Sequence, residues 1–379
     1  MIKTNPLSAL SRRSFLQSLV VVGTGSMAFG ATPLTKLPTV DEETLRAAQA
    51  APLRLVFRGE TPADLAAWQK EFSAELRKRL GRHQPPELWS AATLSRTELP
   101  DHVREEWLLS ADGVPSLPLY ILKPLATRHG RGPFPIVLTL QGHGAFGHDS
   151  IVGIDDSPER AKDIRQQNNG YGRQLVREGY LVVAPCMTPF GRRLDESYKS
   201  SRSDPCAITF VRLMLLGQTL MGANLRDVKW ALNYALTRDD ARRDRVGCVG
   251  LSTGGRMTML MTALDDRVQV AVISGALNVM QERIESSYSC GAQVIPGLLE
   301  IGDTPEIGSL IAPRPCIWEV GSKDGLIKPD WAEVAKARLR KAYLAAGKPD
   351  QLEFHHFEGH HRWDGATAVP LLARILKHD

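Results

Sequence analysis

The chain has 379 residues, of which 43% are hydrophobic, and this content is enough to bury a large core. The composition therefore excludes a disordered or fibrous protein. The formal net charge is +5, but Lys3, Arg12 and Arg13 lie in residues 1–30, which contain no acidic residue, so the remainder carries 5 − 3 = +2. This small charge gives no reason to expect a nucleic-acid partner.

The first thirty residues are typical of an export signal. Residues 11–16 read S-R-R-S-F-L, and a mild apolar run follows from Leu19 to Phe29. The paired arginines resemble a twin-arginine signal, although Gln17 stands where that motif usually has Lys. We expect residues 1–30 to be removed and the protein to be periplasmic or secreted; an uncleaved amphipathic N-terminus is the alternative. No later stretch is apolar enough to span a bilayer, so we expect no stable membrane insertion.

Residues 31–100 are predicted to form a linker and a helical segment that packs on the main domain. Thr61 and Pro62 are typical of a helix start, and Gly81 is typical of a helix end. Apolar residues recur between them at helical spacing: Leu65, Trp68, Phe72, Leu76 and Leu80. We assign this stripe to packing and not to chemistry.

Residues 101–379 are predicted to form the catalytic domain, because strand-like and helix-like segments alternate there. A hairpin is expected between Val103 and Pro124, followed by apolar runs typical of buried strands at 136–140, 180–184, 246–249, 268–273, 316–320 and 352–357. Helix-compatible segments separate them, including 223–236 and 331–346. This alternation predicts an α/β fold with a mostly parallel central sheet and helices on both faces.

The pentapeptide from Gly250 to Gly254 has the pattern G-x-S-x-G, with Ser252 at its centre. A β-prone run precedes it and an apolar, helix-compatible run, 256–264, follows. This context favours a nucleophile elbow, a sharp turn between strand and helix that raises the serine hydroxyl above the sheet. An ordinary glycine-rich turn is the alternative.

A serine hydroxyl is a weak nucleophile, so it needs a neighbouring base and a carboxylate that orients that base. Asp324 directly follows a predicted strand, in the turn G-S-K-D-G, and is the candidate acid. Asp303 and Asp330 are less well placed alternatives, and an Asp beside Gly can also be a simple turn former. His360 and His361 follow the last predicted strand, where the fold order places the base.

Two N–H donors are also required for the oxyanion that forms during attack. The backbone N–H of Thr253, next to the nucleophile, is one candidate. The second is expected in the segment Q-G-H-G from Gln141 to Gly144, which follows an early strand. We predict the backbone N–H of His143 as this donor, with that of Gly144 as the alternative.

Four histidines near the C-terminus suggest a metal site: His355, His356, His360 and His361. Consecutive residues in a strand point to opposite faces, so His355 and His356 cannot hold one ion together. We therefore expect no metal and no cofactor.

The five cysteines are too few, and odd in number, for a disulfide framework. Cys248 and Cys316 lie in predicted strands and are expected to be buried. Cys206 and Cys290 lie in polar segments, and whether they pair is left open.

These features together resemble the dienelactone-hydrolase-like and acetyl-xylan-esterase-like branch of the α/β-hydrolases, bacterial esterases often found with export signals. The likeness covers roughly Val103 to the C-terminus and includes L-L-G-Q-T-L-M-G-A-N-L-R-D-V at 215–228, A-P-R-P at 312–315 and E-G-H-H-R-W at 358–363. The resemblance selects His361 as the base, because the family has Gly where His360 stands. Gln141 replaces a usual His, so we expect the support of the oxyanion loop to differ.

The resemblance implies a serine hydrolase that cleaves a carboxylic ester through an acyl-enzyme. The ester would be an acetyl ester or similar, of a small molecule or a carbohydrate. A serine peptidase or amidase on the same fold is one alternative, although residues 31–100 are too few for the β-propeller that often gates such enzymes. A catalytically idle binding protein is the other. The acyl and alcohol parts of the substrate and the oligomeric state are not predicted.

The pocket is expected to be walled by the loops at 145–167, 185–207 and 278–309. Arg192, Arg193 and Arg202 in the second loop could meet an anionic substrate, although exposed arginines are usually only solvated.

Overall fold

The computed structural model describes residues 37–195, 204–286 and 290–378. A nine-stranded sheet runs through it in the order β1-β2-β3-β5-β4-β6-β7-β8-β9. The strands are β1 Ser90–Glu98, β2 His102–Ser110, β3 Leu117–Pro124, β4 Phe134–Leu140, β5 Leu181–Pro185, β6 Ala241–Leu251, β7 Val270–Ser274, β8 Cys316–Gly321 and β9 Leu352–Phe357. The pairs β1–β2, β2–β3 and β3–β5 are antiparallel, and the five other pairs are parallel.

Helices pack on both faces of this sheet. The α-helices in the described residues are Val40–Gln49, Pro62–Leu80, Ala126–His129, His148–Ile151, Pro158–Gln167, Tyr171–Arg177, Pro205–Leu215, Leu220–Leu236, Thr253–Leu264, Met280–Ser286, Leu298–Ile301, Thr304–Ser309, Pro329–Ala345 and Ala368–Leu376. Short 3₁₀ turns are formed by Gly191–Arg193, Gly291–Gln293 and Pro349–Gln351. The predicted α/β-hydrolase class, with a mostly parallel sheet between helices, is confirmed.

Alternate side chains of each buried strand enter different cores. In β3, Leu119 and Ile121 pack into the larger core, which also contains the helices Leu220–Leu236 and Thr253–Leu264. Tyr120 and Leu122 face the opposite way, into a smaller core with the helices Tyr171–Arg177 and Ala368–Leu376. This period of two follows from the pleat of the strand.

The helix Pro62–Leu80 forms as the sequence predicts. The hydroxyl of Thr61 accepts from the N–H of Asp64 at 3.1 Å, and the Asp64 carboxylate accepts from the N–H of Thr61 at 3.0 Å. This reciprocal capping satisfies two N–H groups of the first turn. The apolar stripe of the helix is buried in the larger core: Leu65, Trp68, Phe72, Leu76 and Leu80. The described residues from Thr44 onward belong to one compact unit, while the boundaries at residues 30 and 100 stay predictions.

Strand β1 is absent from the sequence-based prediction. Its nine residues are all exposed, and it lies at the edge of the sheet, so no apolar alternation marks it. Strand β6 also begins earlier than the predicted residue 246, because the charged stretch after Ala241 extends it toward Phe134 and Pro135 of β4. The apolar runs used for the prediction mark buried strands, so they do not reveal strands that are exposed.

The predicted export signal, residues 1–30, lies outside the described residues. Among the residues that are described, no single helix has the length and hydropathy of a membrane span; the helices Pro205–Leu215 and Leu220–Leu236 meet those criteria only as a pair, with a bend of 92° between them.

Candidate active site

Ser252 lies in the sharp turn between β6 and the helix Thr253–Leu264. Its φ of 61° and ψ of −119° place it in the left-handed region, which is unfavourable for a residue with a side chain. The N–H of Ser252 donates to the carbonyl of Ser274 in β7 at 2.8 Å and holds the turn against the sheet. A Cβ atom at Gly254 would lie 1.9 Å from the carbonyl oxygen of Leu140, so the close packing of this turn requires glycine. The turn thus has the positive φ and the close glycine packing that a nucleophile elbow requires, while the role of Ser252 stays a prediction.

Asp324 and His361 meet above the carboxyl ends of β8 and β9. The Nδ1 atom of His361 lies 2.7 Å from Oδ2 of Asp324, and the other oxygen of Asp324 accepts from the N–H of Leu326 at 3.0 Å. The two loops are joined by backbone hydrogen bonds, including Lys323 N–H to the carbonyl of Gly359 at 2.8 Å. The carboxylate and the ring are therefore held by the fold.

The second ring nitrogen of His361, Nε2, is buried and hydrogen-bonds to no residue that the structure describes, Ser252 included. His361 and Ser252 line the same cavity. The ring packs on Gly275, where a Cβ atom would lie 2.7 Å from the Cε1 atom of His361. Nε2 is thus available to a proton donor in the cavity.

The remaining acid and base candidates lie elsewhere. His360 is exposed. Asp303 is buried and caps the helix Thr304–Ser309, with its carboxylate also accepting from the N–H of Met280 at 2.7 Å. Asp330 is exposed in the first turn of the helix Pro329–Ala345. Of the alternatives considered from sequence, only Asp324 with His361 forms a carboxylate–imidazole pair beside Ser252.

The two residues predicted to supply the oxyanion donors, Thr253 and His143, are in contact through their side chains. The backbone N–H groups of Thr253 and His143 donate to no acceptor within the described part of the chain. Nδ1 of His143 lies 2.6 Å from the hydroxyl oxygen of Thr253, which also accepts from the side-chain amide of Gln293 at 3.1 Å. The segment 141–144 also packs on Ser252, since a Cβ atom at Gly142 would lie 3.3 Å from the Cβ atom of Ser252.

Gln141 does not support this loop by side-chain hydrogen bonds. Its amide is buried, and neither its nitrogen nor its oxygen has a hydrogen-bond partner among the residues described. The ring of His143, bonded to Thr253, ties the loop to the helix Thr253–Leu264 instead.

The comparisons with known proteins agree with this architecture. A model described as "Abhydrolase family" matches residues 49–368. The chain belongs to this family. A relative in Bacillus subtilis strain 168, named "Putative hydrolase YtaP", is 29% identical over 266 residues, which are 69% of this chain and 83% of the relative.

Solved structures of esterases share the fold of this hydrolase. One, described as a "putative acetyl xylan esterase" from Bacteroides fragilis, has a TM-score of 0.75 at 18% identity and covers 90% of this chain and 96% of its own. A glucuronoyl esterase from Solibacter usitatus has a TM-score of 0.57 at 15% identity, over 82% of this chain and 91% of its own. At these identities the likeness shows the fold alone, whereas the family match over residues 49–368 shows that this protein is a hydrolase.

The cavity of the hydrolase has a volume of about 310 Å³, and most of the residues that line it have polar side chains. The lining residues are His143, Gln167, Ser252, Arg256, Gly275, Asn278, Arg283, Cys290, Gln293, Leu326 and His361. Burial lowers the pKa of Arg256 to about 10, and its guanidinium donates to the side chains of Asn278 and Thr304. Arg256 is one helical turn beyond Ser252, a spacing that places both on one side of the helix.

The arginines suggested by sequence have other roles. Arg193 forms a buried ion pair with Asp227 at 2.6 Å. Arg192 pairs with Glu106 and lies 3.6 Å from a carboxylate oxygen of Asp149. Neither lines the cavity, and Arg202 lies outside the described residues. The arginines that do line the cavity are Arg256 and Arg283. The sequence analysis did not single out either one. The spacing of four residues between Ser252 and Arg256 could have suggested only that both lie on one side of a helix.

The cysteines of the hydrolase are all free thiols. Cys248 and Cys316 are buried in strands, as predicted. Cys206 and Cys290 are neighbours, although no disulfide joins them.

Proposed function

We propose that this hydrolase cleaves a carboxylic ester through an acyl-enzyme formed on Ser252. The observation that carries the proposal is the placing of Ser252 at a strained elbow, in the same cavity as His361, whose other ring nitrogen is bound by Asp324. A serine in such a turn needs only a base that can accept its proton. His361 is that base: its contact with Asp324 favours the tautomer with the proton on Nδ1, which leaves Nε2 able to accept a proton.

In the first half-reaction, Oγ of Ser252 attacks the ester carbonyl while Nε2 of His361 takes the hydroxyl proton. Asp324 holds the resulting imidazolium, and the N–H groups of Thr253 and His143 stabilise the oxyanion. The same proton passes from His361 to the departing alcohol, and the acyl group remains on Ser252. Water then attacks the acyl-enzyme with His361 again acting as base, and the acid leaves. The bond between serine and base is commonly long before substrate binds, which fits the unpartnered Nε2.

We propose an acetyl or similarly small acyl group on a polar alcohol, with a carbohydrate as the preferred class. The cavity, at about 310 Å³, is at the small end of ligand sites, which favours a small acyl group. Its wall offers guanidinium and amide groups, which suit the hydroxyl and ring oxygens of a sugar. The solved structures that share its fold include proteins described as an acetyl xylan esterase and a glucuronoyl esterase, which supports the choice of a carbohydrate ester.

A series of substrates tests this assignment. We expect kcat/KM to fall from p-nitrophenyl acetate to p-nitrophenyl octanoate, and acetylated sugars to be hydrolysed more efficiently than acetylated alkyl alcohols. A preference for octanoate would contradict the small acyl site. An Arg256→Gln variant should raise KM for acetylated sugars more than for p-nitrophenyl acetate if the polar wall binds the alcohol part.

A serine peptidase or amidase on this fold is the second candidate from sequence. Amide hydrolysis requires the same nucleophile and base, so the residues alone do not separate the two reactions. The test compares the turnover rate of an amide substrate, an aminoacyl p-nitroanilide, with that of an ester substrate, p-nitrophenyl acetate. We expect the ester to be strongly preferred, whereas a preference for the amide would reverse the assignment. Substrate binding without any turnover would instead indicate an idle binding protein.

We also propose that the protein is exported to the periplasm or beyond by the twin-arginine route. The support is the sequence S-R-R-S-F-L at residues 11–16. Replacing both Arg12 and Arg13 by Lys should retain the protein in the cytoplasm, as measured by cell fractionation. Unchanged export of that double variant would refute the assignment. The proposed partner is a small ester substrate, with no nucleic acid and no membrane insertion.

A further inference from the structure

Three possible metal ligands from distant parts of the chain converge beside the cavity. A ring nitrogen of His143 and the sulfurs of Cys206 and Cys290 all lie within 4.8 Å of one another. His143 is in the loop after β4, Cys206 is in the first turn of the helix Pro205–Leu215, and Cys290 directly precedes the turn Gly291–Gln293. No short sequence motif joins them, because the fold alone brings these elements together.

The contacts of the His143 ring leave one of its two nitrogens without a partner. Nδ1 is occupied by the hydroxyl of Thr253 at 2.6 Å. Nε2 is buried and forms no hydrogen bond with any described residue. Because the hydroxyl oxygen of Thr253 can accept the Nδ1 proton, Nε2 can present its lone pair to the cluster. A buried nitrogen without a partner normally has a compensating ligand or ion.

The two thiols lie together, unlike the other buried cysteines. The sulfurs of Cys206 and Cys290 are within 4.8 Å of each other, and the sulfur of Cys290 accepts from the N–H of Ala292 at 3.4 Å. Cys248 and Cys316 are instead buried in separate strands of the sheet. Two adjacent cysteine sulfurs can bind one metal ion together as thiolates.

We propose that His143, Cys206 and Cys290 form a site for one zinc ion. Two thiolates and one imidazole are a common ligand set for zinc, and tetrahedral bonds of about 2.3 Å require sulfurs roughly 3.8 Å apart. The observed separations, all within 4.8 Å, would have to contract by about 1 Å at most. His143 and Cys290 also line the cavity, so the open fourth position is accessible to water or a small ligand from that side. Because both sulfurs bind zinc as thiolates, binding of the ion displaces the thiol protons to solvent.

Zinc at this site would hold the loop that Gln141 leaves without side-chain support. The ion would join the ring of His143 to the helix Pro205–Leu215 and to the residue before the turn Gly291–Gln293, while Nδ1 keeps its bond to Thr253. This inference does not depend on ester hydrolysis, because metal binding is measured without substrate.

The test uses the full mature protein, reduced and stripped of metal with a chelator, and Co²⁺ as a spectroscopic stand-in for zinc. We expect one equivalent of Co²⁺ to give a thiolate-to-cobalt charge-transfer band and the strong visible absorption of a tetrahedral site. One equivalent of Zn²⁺ should abolish both. Cys206→Ala and Cys290→Ala should each weaken binding by at least about 100-fold, whereas the matched control Cys316→Ala should bind normally.

A second measurement avoids variants that fail to fold. In the wild-type protein, iodoacetamide should alkylate Cys290 when no metal is present, and one equivalent of Zn²⁺ should prevent this. The proposal is overturned if the folded, reduced protein gives no charge-transfer band, or if the band survives in both folded Cys→Ala variants. It is also overturned if peptide mapping finds Cys206 and Cys290 joined as a disulfide and the reduced protein binds no Zn²⁺. Ester hydrolysis can persist in each of these outcomes, so failure here is distinguishable from failure of the proposed function.

Discussion

Nδ1 of His361 and Oδ2 of Asp324 are 2.7 Å apart, although the two residues lie on loops after different strands. The parallel pairing of β8 with β9 brings those loops together. The N–H groups of Ser322 and Lys323 donate to the carbonyls of Phe357, at the end of β9, and Gly359, in the loop after it, and these bonds fix the spacing. Asp324 is buried, so its carboxylate is shielded from competing water. This contact orients His361 toward the cavity that contains Ser252.

His361→Ala should reduce kcat for ester hydrolysis by roughly 10⁴-fold or more, because Ser252 would lose its base. His360→Ala is the matched control and should retain near wild-type kcat, since that neighbouring ring is exposed and outside the site. Steady-state kinetics on p-nitrophenyl acetate measure both. Loss of activity in the His360 variant alone would reverse the assignment of the base.

Asp324→Asn should lower kcat by about 10³- to 10⁴-fold with little change in KM. The amide can donate to Nδ1 and so favour the tautomer that carries its proton on Nε2, which cannot accept the serine proton. Asp330→Asn serves as the control, because that carboxylate is exposed on a helix. An Asp324→Asn enzyme with wild-type kcat would show that the carboxylate does not orient the base.

Gly254→Ala should destabilise the fold by more than about 3 kcal/mol, because its Cβ atom would lie 1.9 Å from a backbone oxygen that has no room to move. Gly325→Ala is the matched control, since a Cβ atom there would meet nothing within 4 Å. Chemical denaturation of both variants gives the comparison. Equal stabilities would mean that the turn is looser than the structure indicates.

Glu319 makes stability depend on pH. It is buried in β8, accepts from the N–H of Gly365 at 3.0 Å, and burial raises its pKa from 4.5 to about 7. Below pH 4.5, the pKa of this carboxyl in the unfolded chain, Glu319 is protonated in both the folded and the unfolded state and does not lower the free energy of unfolding. As pH rises from about 4.5 to 7, the unfolded chain loses this proton first, so the free energy of unfolding falls by about 3 kcal/mol.

Glu319→Gln should remove this contribution, since the amide can still accept from Gly365 but does not ionise. Urea unfolding at pH 5 and pH 8 gives the free energy of unfolding of both proteins. We expect the difference, variant minus wild type, to be more positive at pH 8 than at pH 5. If the difference between the two proteins is the same at both values, Glu319 is not protonated in the folded state.

The fold and the order Ser252, Asp324, His361 could be predicted because each depends on local patterns. Buried strands produce apolar runs, and the α/β-hydrolase order then assigns the loops that carry acid and base. The choice between His360 and His361 came from family resemblance, and the structure places His361, not His360, against Asp324. The roles of these residues in catalysis stay predictions until they are measured.

The sequence could not reveal features that depend on contacts between distant elements. Arg256 lies in a segment that reads as an ordinary apolar helix, and only the packed structure shows that it lines the cavity. The Cys206–Cys290–His143 cluster joins three separate segments, so its spacing matches no ligand motif. Strand β1 has no buried face and hence no apolar period.

The most direct test of the whole account is covalent labelling of Ser252. A fluorophosphonate probe should react stoichiometrically with the wild-type protein, peptide mapping should place the label on Ser252, and hydrolysis of p-nitrophenyl acetate should stop as labelling proceeds. Ser252→Ala, folded with an unchanged Tm, should neither react nor hydrolyse the ester. A folded wild-type protein that resists the probe, or a Ser252→Ala variant that is labelled and remains active, would contradict the proposed mechanism.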